Sequence, residues 1–129
     1  AVGFPVDVLN VSTSLYSLAA QRKLREYLSK HQPKIVHAGQ FVTNVHVTAA
    51  VKSSLQCPVV IEEHGHSRWK KWHHRVLDRV ICRQADAVLC CSRSVQKHVQ
   101  AINGMSITTL IKHDRSYIFT MKHWCQALC

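Results

Sequence analysis

Residues 58–92, PVVIEEHGHSRWKKWHHRVLDRVICRQADAVLCCS, set two short apolar runs on either side of one basic segment of helix length, and this alternation constrains the fold most. The first run, Val59-Val60-Ile61 behind Pro58, is too short and too β-branched to favour a helix, and the polar Glu62-Glu63-His64-Gly65 follows it. Trp72, Val76, Val80 and Ile81 recur at helical spacing, which predicts a helix within residues 70–84. Ala85-Asp86 then leads into the second run, Ala87-Val88-Leu89-Cys90-Cys91. Two buried parallel strands joined by a crossover helix satisfy the pattern. In such sheets ligands sit outside the carboxyl ends of the strands, which makes His64, Gly65 and Ser92 candidate site residues.

The same alternation extends along the chain. Residues 6–11 read as a strand. Ser14 heads a helical stretch whose Leu15, Leu18, Ala19, Leu24 and Leu28 share one stripe, ending near His31 before Pro33 forbids continuation. Residues 34–37 read as the next strand and 41–55 as a helix, despite the low intrinsic propensity of Val42, Val45, Val47, Thr48 and Val51. A helix over 94–102, stopped by Asn103-Gly104, and a strand over 106–111 complete the series. The expected fold class is α/β, a Rossmann-like parallel sheet with helices on both faces, forming a single domain over residues 1–129. A chain of 129 residues, 47% of them hydrophobic, is long enough to bury a real core. The absence of an initial Met raises the expectation of a fragment of a longer protein. No apolar run reaches bilayer-spanning length and the N-terminus has no signal-peptide pattern, so a cytoplasmic location is expected.

The formal net charge of +10 implies an anionic partner, a membrane surface or an acidic missing half. Arg68, Lys70, Lys71, Arg75, Arg79 and Arg83 crowd one helix beside an apolar stripe of Trp69, Trp72, Val76 and Val80. Such a face suits peripheral contact with an anionic bilayer, where each Lys or Arg near the surface adds about 1 kcal/mol. The plainer reading buries Trp72 and Val76 in the core and leaves the basic face solvated. Interleaved Arg68-Trp69-Lys70-Lys71-Trp72 also fits a nucleic-acid-binding module, but no known binding motif accompanies it, and no nucleic acid partner is expected.

Adjacent Cys90 and Cys91 point to opposite faces of a strand and read as small buried hydrophobes, not a disulfide framework. Cys125 and Cys129 lack a second ligand pair. His64, His66, His73, His74 and Cys82 fit no closed four-ligand spacing, so no metal site is expected. Four glycines, none arranged as G-x-G-x-x-G, argue against a dinucleotide cofactor. Glu62-Glu63 invites an acid/base reading, yet neighbours on a strand face opposite ways and cannot flank one bond.

IVHAG at 35–39, PVVIEEHGH at 58–66, ADAVLCCS at 85–92 and ITTLIKHD at 107–114, followed by Phe119, come in an order that resembles the N-terminal domain of family-4, retaining glycosyltransferases of the GT-B fold. The likeness covers roughly residues 15–119 and rests on the order of several short motifs. It implies transfer of a sugar from a nucleotide-sugar donor to a glycan or lipid-linked acceptor, with no cofactor beyond the donor. His64 falls on the histidine that contacts the transferred sugar or its leaving phosphate. His37, Gly65 and Ser92 fall on substrate-binding positions, and Arg68, Trp69, Lys71, Trp72, Arg75 and Arg79 would meet a membrane or other anionic partner at the cytoplasmic membrane face. The resemblance also implies a C-terminal donor-binding domain with paired glutamates, which this sequence lacks. Lys112-His113-Asp114 replaces the usual Asn-Gly-Val-Asp, and the glycine-rich loop after the first strand is missing. Little transfer activity is expected of the chain alone. The alternatives are a truncated domain serving as an accessory or binding subunit, or a basic nucleic-acid-binding module.

Overall fold

The computed structural model describes residues 6–12, 14–66, 68–103 and 110–112. Within them four parallel strands, β1 (Val36–Ala38), β2 (Val59–Glu63), β3 (Ala87–Cys90) and β4 (Leu110–Lys112), lie in sequential order. Four helices accompany them: α1 (Leu18–His31) precedes β1, and α2 (Phe41–Ser54), α3 (Trp72–Gln84) and α4 (Arg93–Asn103) each cross from one strand to the next. The expected α/β, Rossmann-like parallel sheet is present.

Sequential order combined with the usual right-handed crossover lays every crossover helix on the same side of the sheet. The main core agrees: Val59, Ile61, Val88 and Cys90 of the strands pack with Leu28, Val47, Val51, Ile81, Val95 and Val99 from all four helices. On the opposite face Val60, Ala87 and Leu89 form a second buried cluster with Ile35, to which no described helix contributes. Of the two helical layers expected, the described residues therefore supply one.

Local chemistry explains the element boundaries. The α1 helix begins at Leu18, later than Ser14 suggested, because the Ser17 hydroxyl is the one that accepts from the Ala20 N–H, at 3.2 Å. It stops where Gln32 adopts a left-handed conformation (φ 42°) ahead of Pro33. The valine-rich α2 forms in spite of its propensity because it is central: Asn44, Val47, Thr48, Ala50 and Val51 are all buried, between α1, α3 and the sheet. At the amino end of the strands, Asp86 accepts from the Val59 N–H (2.8 Å) and from Lys52 Nζ (2.9 Å), fastening β2 to the turn before β3.

Two expectations are corrected. Residues 6–12 form no strand, and Val6 and Val8 are 80% and 74% exposed. The segment pairs with no described strand and is tied to α1 by the Tyr27 hydroxyl donating to Asp7 at 2.6 Å. The inward face of α3 also differs. Asp78, Ile81 and Cys82 are buried, whereas Trp72, Val76 and Val80 are 77%, 56% and 45% exposed. Of the strand expected over 106–111, residues 106–109 lie outside the described residues.

Candidate active site

The site grows from strand alternation. His37 is the register partner of Val60, so it shares a face of the sheet with Val60 and Glu62. At the carboxyl ends of β1 and β2 these side chains converge: His37 Nε2 lies 3.3 Å and His64 Nε2 3.7 Å from the same oxygen, Glu62 Oε2. The carboxylate is only 11% exposed, while the His64 side chain is 59% exposed. Glu62 and His64 border an open cleft of about 560 Å³, also lined by Gly39, Phe41, Glu63, Gly65 and Trp69, and His37 stands behind them against Glu62. A side-chain carbon at Gly39 would sit 3.8 Å from Glu62 Oε2 and 3.9 Å from His64 Nε2, on the rim of this cluster.

Neighbouring elements hold the turn after β2 by its backbone. Asn44 Nδ2 donates to the Glu62 carbonyl at 3.3 Å, the Cys91 N–H donates to the Glu63 carbonyl at 3.3 Å, and the Cys91 thiol donates to the His64 carbonyl at 3.0 Å. Cys91 thus acts as a local tether. Cys90, on the opposite face of β3, is buried, as sequence alternation anticipated. Burial pushes the Cys82 and Cys90 thiols up to about 12, which leaves them protonated and inert near neutral pH. All four described cysteines are free; Cys125 and Cys129 lie outside the described residues.

On the other face of β2, Glu63 reaches Lys70 Nζ with both oxygens at 3.4 Å, and Lys70 Nζ donates to Asp78 Oδ1 at 2.9 Å. The lysine side chain is 4% exposed and its ammonium stands 4.6 Å from the Phe41 ring centre. Burial raises the Glu63 pKa, opposed by Lys70 and reinforced by Asp78. This network ties Lys70 and the end of β2 to α3 beside the cleft. The sequence reading placed Lys70 on the solvated basic face; the structure withdraws it. The available signal was Asp78, an acid on the same helical face as Ile81 and Cys82, which demands a buried cation.

The remaining candidates separate. Ser92 does not line the cleft: its hydroxyl accepts from the Val95 N–H at 3.2 Å and caps α4. Nearby, His66 Nε2 meets Ser94 Oγ at 2.9 Å. Arg68, Lys71, Arg75, Arg79 and Arg83 are exposed, as are Trp69 and Trp72, so the basic and aromatic stripes of α3 and its approach share one open surface. Arg79 also donates to the Ile102 carbonyl at 2.8 Å. Trp69 keeps an edge contact with Phe41, ring centres 5.6 Å apart. Among the described residues no cluster of three or more His, Cys, Asp or Glu side chains is placed to hold a metal ion, and no helix is long and apolar enough to cross a membrane.

A parallel α/β sheet with histidines, a carboxylate and a glycine turn gathered at adjoining strand ends defines a Rossmann-like domain with a strand-end cleft. The chain matches Glycosyltransferase Family 4 over residues 3–110, and it belongs to that family. No curated protein matches it.

Proposed function

We propose that the chain is the acceptor-side domain of a retaining glycosyltransferase that moves a sugar from a nucleotide-sugar donor to a glycan or lipid-linked acceptor. The observation carrying this reading is the convergence of His37 and His64 on Glu62 at the carboxyl ends of β1 and β2, where Glu62 and His64 line an open cleft. Retaining transfer develops positive charge on the sugar and negative charge on the departing diphosphate, so positioning and electrostatic stabilisation supply most of the catalysis. His64, the exposed member of the cluster, hydrogen-bonds the transferred sugar or, when protonated, offsets the phosphate charge. His37 supports it from β1, and Gly65 lets a ligand approach the backbone. Ser92 contributes by ordering the start of α4 beside the cleft. A second, donor-binding domain completes the site.

The surface of α3 extends the same reading. Exposed Trp69, Trp72, Val76 and Val80, flanked by Arg68, Lys71, Arg75 and Arg79, would hold the cleft against an anionic membrane at its cytoplasmic face, where a lipid-linked acceptor is presented. The site is tested by titrating a panel of nucleoside diphosphate sugars into ¹⁵N-labelled protein. Shifts centred on residues 37–41 and 62–66 are expected for the matching donor. Shifts confined to α3 would contradict the reading.

A further inference from the structure

The two histidines share a feature that the resemblance to the family does not require: their Nε2 atoms approach the same carboxylate oxygen. We propose that Glu62 is a positioning residue, fixing the ring orientation and the tautomer of both His37 and His64 so that Nδ1 of His64 is the nitrogen offered to the ligand. The proposal rests on the glycosyltransferase reading only for what His64 then does; the geometry stands without it.

His37 and Glu62 project from the same sheet face, and their side chains meet at 3.3 Å. His64, beyond the end of β2, turns back over that face to 3.7 Å from the same oxygen. An 11%-exposed carboxylate has little water to satisfy it, and the two imidazole nitrogens at 3.3 Å and 3.7 Å are placed to serve as donors. A neutral imidazole can donate from one nitrogen only. Donation to Glu62 therefore puts the proton on Nε2 in both rings and leaves each Nδ1 as an acceptor. For His64, 59% exposed on the cleft, that acceptor suits a sugar hydroxyl, and full protonation turns it into a donor to phosphate with Glu62 as counter-charge. The 3.7 Å separation is longer than a hydrogen bond, as site contacts often are before a ligand binds. Glu63 also borders the cleft and feels the charge of His64, but both its oxygens are engaged by Lys70; α2 offers the uncharged Asn44, and β3 places Leu89 in register with Glu62.

The test is the ring-nitrogen spectrum of ¹⁵N-histidine protein, recorded well above the histidine titration range. Both His37 and His64 are expected as the Nε2–H tautomer in the unmodified chain, and this arm needs no variant to fold. In Glu62→Gln, whose amide can donate as well as accept, the His64 signals are expected to move toward a mixed or Nδ1–H tautomer. An Nδ1–H ring at either histidine in the unmodified chain would overturn the proposal, as would His64 signals unchanged in a folded Glu62→Gln protein. No ligand is present, so the result is independent of whether a nucleotide-sugar binds.

Discussion

Lys70 illustrates how much one side chain can decide. Its ammonium is the shared partner of two buried carboxylates, Glu63 and Asp78, and without it both would be left desolvated and close together. Removing one member of such a buried network typically costs about 3–5 kcal/mol, well beyond the loss from an exposed ion pair. Lys70→Met should lower the free energy of unfolding by an amount of that order, measured by urea denaturation; a loss within about 0.5 kcal/mol, the range of ordinary surface substitutions, would refute this account of the cleft wall. His64 has the opposite character. It is exposed and contributes little to packing, so its substitution should leave the fold intact and act on ligands alone.

At the scale of elements, the order of strands and helices was legible because period-two and period-3.6 patterns are local properties of the chain. Facing was less legible. The apolar stripe of Trp72, Val76 and Val80 resembled a core stripe, but the inward face is that of Asp78, Ile81 and Cys82, with Asp78 bonded to Lys70. Residues 6–11 failed as a strand because alternation is a local signal and cannot reveal whether a segment docks onto the sheet. Glu62 was set aside with Glu63 because strand neighbours face opposite ways, and its meeting with His37 depends on the β1–β2 register, a long-range fact. The outward face of α3 leads to a measurement: co-sedimentation with anionic vesicles should fall as salt rises and should weaken several-fold in Arg75→Glu/Arg79→Glu, while equal binding to neutral vesicles would remove the electrostatic argument. At the amino end of the sheet, burial works to raise the Asp86 pKa, but the bonds from Val59 and Lys52 win and hold it below the usual carboxylate value. A depressed folded-state pKa contributes stability above the unfolded value and loses it as pH falls through the folded one. Asp86→Asn should therefore be less stable than the unmodified chain near neutral pH and should converge with it in acid; a constant difference in urea midpoint from neutral to strongly acidic pH would contradict this.

For the whole molecule, the consequence of the sequential strand order is division of labour. The described helices bury one face of the sheet, the strand ends carry the cleft, and α3 with its approach presents a basic, tryptophan-bearing surface next to it. Family membership agrees with this arrangement, and the motif order that suggested it in the sequence corresponds to successive strand ends in the fold. The central claim is that His64 meets the donor, and the most direct measurement compares donor affinity of the unmodified protein with that of His64→Ala. A hydrogen bond involving a charged group contributes about 1.5–3 kcal/mol, so the variant should bind its nucleotide-sugar about tenfold or more weakly, while His31→Ala, on α1, should not change it. Equal affinity in the two histidine variants, with both folded, would contradict the account.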